Sequence, residues 1–361
     1  MYFVSDRGIL FEDLQPFPTI LQDERRRGRV RPSVPKSKGR PSIDGPRSFG
    51  TTYSAPSADQ DPELHRVADE LLRLDPDGTR TAVAIRRALD QVYDGRRTGR
   101  WDFTQLMKTE KTHVGTLVEI WIAREFEFSD GTELDFKISG VDVDCKWSMN
   151  LYGWEIPREM YERGPKIAYV LWGSEYSNRW ASGLVRTEEE NLRPLGKQRD
   201  QKRRLNEVGR DRILWVHRDG AMIQNVLVHY PEIALDVASR TSGQDAVNTL
   251  FRRLQGVLIN QATVETAAQQ TDSGKRVRDA RSQLKSEGIA IFGHYRPHPD
   301  MASDLGLPRP SLGRFVSARL APWEGEGTGY TTIAGSAWRL AHANDPPTCA
   351  PKLPRQGTEQ V

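Results

Sequence analysis

The chain is predicted to be α/β: a mixed sheet flanked by helices, then a second, smaller and mainly helical domain. Three observations lead there. Amphipathic helical stretches at about 61–72, 80–92 and 104–124 run into two stretches of period-two alternation between 134 and 147. A continuous apolar run at 167–172 has the pattern of a strand buried on both faces. Beyond residue 240 the helical period returns, with basic residues along it.

At 361 residues the chain can hold two domains with separate cores, and a mean hydropathy of −0.64 is that of a water-soluble protein. No stretch is apolar enough to span a membrane and the start lacks the apolar core of a secretory signal, so a cytoplasmic location is expected. Cys145 falls on a predicted strand and Cys349 in a proline-rich tail. Two such cysteines make neither a disulfide framework nor a zinc finger. The net charge is only +3, so affinity for nucleic acid must come from local clusters.

Residues 1–60 interleave Arg25, Arg26, Arg27, Arg29, Arg31, Lys36, Lys38 and Arg40 with Pro32, Pro35, Pro41 and Pro46. With little to bury, this stretch is expected to be a disordered basic extension. It either adds non-specific phosphate affinity or lies upstream of the true start. Asp61-Pro62-Glu63 opens the first helix, in which Leu64, Val67, Ala68, Leu71 and Leu72 repeat at helical spacing, and Asp75-Pro76-Asp77-Gly78 ends it. The second helix buries Val83, Ile85 and Leu89 and stops at Tyr93-Asp94-Gly95. Val92-Tyr93-Asp94-Gly95-Arg96-Arg97 echoes the K-x-D-G element of covalent nucleotidyltransferases. A valine stands where that chemistry needs its lysine nucleophile, so no lysyl-nucleotide can form. The segment reads instead as a helix end whose Arg96, Arg97 and Arg100 either touch phosphate or sit solvated.

The helix at 104–124 carries Leu106, Val114, Leu117, Val118, Trp121 and Ile122. Glu119 shares a stripe with Gly115, Thr116 and Ala123, small residues that predict close packing on a sheet. His113 is read as a half-buried core residue. The stretch 134–147 reads as a β-hairpin turned at Ser139-Gly140. Strand side chains alternate, so Val141, Val143, Cys145 and Trp147 take one face and Asp142, Asp144 and Lys146 the other, while Asp135 lies opposite Leu134, Phe136 and Ile138. One surface can thus collect two carboxylates and an ammonium. Mg²⁺ takes oxygen ligands, commonly one or two carboxylates completed by water and substrate phosphate, which suits Asp135 and Asp144. The ion would polarise a phosphoryl oxygen, Lys146 would orient the attacking water and offset charge growing on phosphorus, and Glu119 would hold a water of the ion or a second ion. By itself such alternation also fits a solvated strand face.

Residues 181–186 read as a further strand, and the charged stretch 193–212 as a linker or solvated loop. A second domain is expected over 211–322, with strands at 213–216 and 226–229 and a helix at 244–255. A basic helix follows at 275–285. Val277, Ala280 and Leu284 face inward there; Lys275 and Arg276 open the helix, and Arg278, Arg281 and Lys285 follow another face. With a wing strand at 289–292 this would form a winged-helix, helix-turn-helix unit whose basic helix enters a major groove, although an ordinary amphipathic helix shows the same pattern. From 323 to 361 glycine and proline predict a disordered tail.

A helix acid, a strand acid and then acid-x-lysine on the next strand is the layout of the PD-(D/E)xK nucleases, with Leu134 in place of the proline. Several blocks accompany it, among them Tyr93-Asp94-Gly95-Arg96-Arg97-Thr98-Gly99-Arg100, Gly115-Thr116-Leu117-Val118-Glu119-Ile120, Asp142-Val143-Asp144-Cys145-Lys146 and Gly153-Trp154-Glu155-Ile156-Pro157. On these the chain resembles the NaeI-type type II restriction endonucleases from about 71 to 159, and more weakly to 320. The resemblance implies a restriction-endonuclease-like domain over 61–210, with Glu119, Asp135, Asp144 and Lys146 as the catalytic set. It further implies Mg²⁺-dependent cleavage of double-stranded DNA to 5′-phosphate ends at a GC-rich palindrome, GCCGGC being the family prototype's target. A winged-helix domain similar to those of catabolite-activator-type regulators would bind a second DNA copy and stimulate cleavage. A homodimer follows from cutting both strands of a palindrome, and a cognate DNA methyltransferase is the implied system partner. Two alternatives stay open at this point: a winged-helix regulator with an inactive nuclease domain, and a nicking or repair nuclease of the same fold.

Overall fold

The computed structural model describes residues 28–36, 38, 54–196 and 200–354. Most of the basic extension expected to be disordered therefore lies outside the described residues, but residues 28–36 of it are held by hydrogen bonds, Arg29 to the Ala267 carbonyl and Gln105 to the Ser33 carbonyl among them. Helices α1 (Pro62–Leu74), α2 (Thr79–Tyr93), the short α3 (Gly95–Thr98) and α4 (Lys108–Phe126) lead into the strands. Pro62 sits in the first turn of α1, and the Asp61 side chain accepts from the Leu64 amide. Buried Asp75 does more than break the chain: its two oxygens accept from the amides of Arg80 and Thr81 and from the Thr81 hydroxyl, starting α2. Gly78 is required between them, since φ is +74° and a Cβ would lie 2.6 Å from the Trp180 ring. Residues 103–105 form a separate 3-10 turn closed by an Asp102–Gln105 capping box, so the helix expected from 104 starts at Lys108.

The first sheet runs in sequence order: β1 (Ser129–Asp130), β2 (Phe136–Ile138), β3 (Val141–Ser148), β4 (Ile167–Ser174), β5 (Arg179–Arg186) and β6 (Leu214–Ala221). Only β3 and β4 are parallel, joined by a crossover that contains α5 (Glu159–Glu162). The apolar run in β4 is divided by strand alternation. Ile167, Tyr169 and Leu171 enter the core beneath α1, α2 and α4, whereas Ala168, Val170 and Trp172 meet Trp154, Ile156 and Met160 on the opposite face. Each such large side chain contributes roughly 1.5–3 kcal/mol on burial. The result is a mixed sheet flanked by helices, the α/β arrangement expected from the sequence.

Four expectations need correction. Strand β6, placed beyond a boundary at 211, pairs antiparallel with β5 and completes the first sheet. The stretch 193–212 is not merely solvated: Leu205 bridges Leu192, Arg203 bridges Ile156, and α6 (Glu207–Asp211) closes it. Arg203 is buried there and donates to the carbonyls of Leu192 and Arg193. Residues 226–229 are helix α7 (Val226–His229), because Asn225 caps Leu227 and the chain turns at once into α8 (Pro231–Ser239). The tail contains paired strands, β10 (Tyr330–Ile333) and β11 (Ser336–Leu340).

The second unit continues as α9 (Gly243–Arg253), β7 (Ile259–Asn260), α10 (Gln261–Ala268), α11 (Ser273–Gln283), β8 (Ile289–Phe292), α12 (His298–Asp304) and β9 (Arg314–Pro322). Strand β9 is its hub, pairing antiparallel with β7, β8 and β11 along its length. The helices bury Val247, Leu250, Val264, Val277 and Leu284 in one core, and the far side of the sheet forms another with Met301, Leu305 and Ile333. Where the units meet, Glu175 in the β4–β5 turn accepts from Arg86 and Tyr93 of α2 and from Asn225 Nδ2, at 3.1 Å in the last case.

Candidate active site

The two-residue turn fixes the hairpin. Ser139 and Gly140 both have positive φ, 48° and 80°, which matches the twist of the flanking strands. Phe136 faces Val143 and Lys137 faces Asp142, so continuing the register sets Asp135 across from Asp144. Asp135 is held there by the Cys145 amide, which donates to its Oδ2 at 2.7 Å. Asp144 is 6% exposed and forms an ion pair with Lys146. Burial pushes the Asp144 carboxyl up to about 7, with Asp135 adding repulsion and Lys146 opposing it. The Lys146 ammonium, which burial alone would push down, is held above the ordinary lysine value by Asp144 and Asp135.

Glu119 reaches the cluster from α4. Its carboxyl is pushed up by burial and by Asp135, against the pull of Lys146. Glu119 thus lies within electrostatic range of Asp135 and Lys146. The route differs from the expected one: α4 packs through Val114, Leu117, Val118 and Ile122, while Thr116 is exposed and the space beside Gly115 is open. His113 is exposed rather than part of the core. Asp142 on the same strand face is occupied structurally, accepting from the Thr132 and Glu133 amides at 3.0 and 2.9 Å.

Among the described residues no three His, Cys, Asp or Glu side chains are placed to close on one metal ion. A hard cation that completes its shell with water and phosphate needs only a carboxylate pair. Asp135 and Asp144 supply that pair, with Lys146 against the Asp144 Oδ2. The donor set fits Mg²⁺.

The other predicted contacts are mixed. Arg100 is engaged, with both terminal nitrogens 2.8 Å from Glu110. Arg96 and Arg97 pair with Asp94 and border a cavity of about 500 Å³ between the units, beside Thr263 and Thr266. On α11, Lys275 and Arg278 are exposed and Arg276 leans on Gln244 at 3.3 Å, while Lys285 is half-buried in the 3-10 turn (Leu284–Glu287) that follows. Arg281 is turned inward: its Nε donates to the Ile291 carbonyl at 2.7 Å, and burial pulls its pKa down to about 10. The Glu175 cluster was missed, and nothing local in the sequence could have signalled it, because its partners stand 50 to 89 positions away.

Residues 65–348 match the family described as restriction endonuclease NaeI. That span is well over half the chain. The chain belongs to the NaeI restriction endonuclease family. It is also 46% identical over 314 residues to the type II restriction enzyme NaeI of Lentzea aerocolonigenes, covering 84% of this chain and 98% of that relative. As a member of the NaeI family it is a site-specific endonuclease of the type II restriction class. No helix among its described residues is long and apolar enough to cross a membrane.

Proposed function

We propose that this protein is a Mg²⁺-dependent endonuclease that cuts both strands of double-stranded DNA at a GC-rich palindrome, with GCCGGC as the first sequence to test. The observation that carries the reading is the opposition of Asp135 and Asp144 across one hairpin with Lys146 against the second acid. Asp135 and Asp144 would hold the ion, which supplies Lewis-acid polarisation of the phosphoryl oxygen when bound. Lys146 donates to the attacking water and to the phosphate oxygen on which charge accumulates. Glu119, partly screened from solvent, would hold a water of the ion or a second ion. Water attacks phosphorus in line, the P–O3′ bond breaks, and the products are a 5′-phosphate and a 3′-hydroxyl.

Cutting a palindrome on both strands calls for two such sites related by a two-fold axis, hence a homodimer. The order α9, β7, α10, α11, β8, β9, with β9 between β7 and β8, supports a winged-helix reading of the C-terminal unit. Its exposed Lys275 and Arg278 suit a second DNA copy whose binding stimulates cleavage. An enzyme of this specificity would destroy its own host's DNA unless a cognate methyltransferase protected it in the same cytoplasm.

Incubation of plasmid with the protein and Mg²⁺ tests the reading. Discrete linear fragments are expected, and Lys146→Ala should lower the single-turnover rate by about 10³-fold or more without unfolding the chain. Relaxed circles alone would favour a nicking enzyme, and binding without any cleavage would favour a regulator. Sequencing the fragment ends gives the site.

A further inference from the structure

Residues 28–36 cross the junction of the two units as an extended strap. At one end the Arg29 guanidinium sits where α8 and α10 finish, donating to the carbonyls of Val237 at 3.2 Å, Ala267 at 2.9 Å and Arg240. The last carbonyls of a helix lack partners within it and carry the negative end of its dipole. One planar cation here answers two helix ends together. Val30 and Gln269 then exchange two hydrogen bonds, from the Val30 amide at 2.6 Å and back to its carbonyl at 2.7 Å. Pro32 lies against Gly99, where a Cβ would stand 3.3 Å from its ring.

The other end is tied to the first unit. Gln105 donates its Nε2 to the Ser33 carbonyl at 2.6 Å, and the Lys36 amide donates to Thr104 Oγ1 at 2.9 Å. Thr104 and Gln105 belong to the capped turn that feeds directly into α4, the helix of Glu119. The family match begins at residue 65, so the strap lies outside what that match covers.

We propose that residues 28–36 are a positioning strap, in which Arg29 anchors the C-terminal unit and thereby sets the turn from which the Glu119 helix starts. Arg29 touches no reacting group. It acts through six intervening residues on the geometry of α4, and only the catalytic consequence rests on the nuclease reading above.

The test compares the full chain with Arg29→Ala and with a chain lacking residues 28–36, by hydrogen exchange and by single-turnover cleavage. Arg29→Ala is expected to speed amide exchange over residues 102–111, which Arg29 does not contact, as well as at the ends of α8 and α10. The cleavage rate should fall about tenfold with KM little changed, since small misplacement of a reacting group costs rate more than binding. Arg29→Lys should fall between the two, because one ammonium cannot serve three carbonyls at both helix ends. Faster exchange confined to 237–240 and 267–269, with 102–111 unchanged, would overturn the proposal and leave the strap as local packing. If the deleted chain fails to fold, Arg29→Ala alone decides. If the wild-type chain cuts no DNA, the nuclease reading fails while the exchange measurement still judges the strap.

Discussion

Glu175 is 2% exposed at the tip of the β4–β5 hairpin, where three side chains donate to its carboxylate. Arg86 and the Tyr93 hydroxyl donate to separate oxygens, and Asn225 ties the same carboxylate to the Trp101 carbonyl. The Arg86 guanidinium, which burial alone would push down, is raised by Asp90 and Glu175. Removing one partner of such a cluster strands the other charge, which is costlier than the pair is worth. Glu175→Ala should therefore lose about 3–5 kcal/mol in urea denaturation, and a loss below about 1 kcal/mol would mean that Asp90, 2.9 Å from the same guanidinium, answers Arg86 by itself. Alternation could place Asp144 and Lys146 on one face because neighbouring strand residues obey a fixed period. It could not find Glu175, whose meaning is set by a helix folded back from 82 to 89 positions earlier.

At the scale of elements, what was readable followed the chemistry of the turns. The hairpin holding Asp135 and Asp144 was legible because Ser139-Gly140 is an ordinary sequence for two left-handed residues. The β10–β11 hairpin uses the same geometry at Ala334 and Gly335, with φ of 52° and 80°, and an alanine in that conformation gives no signal. Residues 226–229 misled in the opposite sense, since Val226-Leu227-Val228 looks like a strand until Asn225 caps it. The α12 segment adds a pH dependence. His298 is 4% exposed, with Nδ1 accepting from the Gly293 amide at 3.2 Å and Nε2 donating to the Pro354 carbonyl at 2.9 Å. Both nitrogens are thus used by the neutral ring, and burial pulls the pKa down to about 4 from 6.5. The folded value lies below the unfolded one, so the unfolded chain binds the extra proton. This contribution is complete above pH 6.5 and is lost as the pH falls toward 4, by up to roughly 3 kcal/mol. Thermal melts between pH 7.5 and 4.5 should show a shallower decline in His298→Gln than in the parent. Parallel curves would mean that His298 ionises without disturbing the C-terminal sheet.

For the molecule as a whole, a net charge of +3 cannot hold a duplex by bulk attraction, so binding must be built from a few placed cations. Arg278, Arg281 and Lys285 share one face of the basic stretch by sequence period, yet packing against β8 separates them. Arg281 is consumed by the Ile291 carbonyl, whereas Lys275 and Arg278 remain at the surface. A phosphate contact releases about one counterion, and its loss should flatten the dependence of log affinity on log salt by about one unit without changing which sequence is preferred. Lys275→Ala and Arg278→Ala are each expected to do this in binding titrations with a catalytically silenced Lys146→Ala chain, while Arg281→Ala should instead lower the melting temperature. If the two surface variants keep the parental slope, α11 does not face DNA. If they flatten it and also slow cleavage of plasmids with two sites, the helix is the contact through which a distant duplex reaches the carboxylate pair.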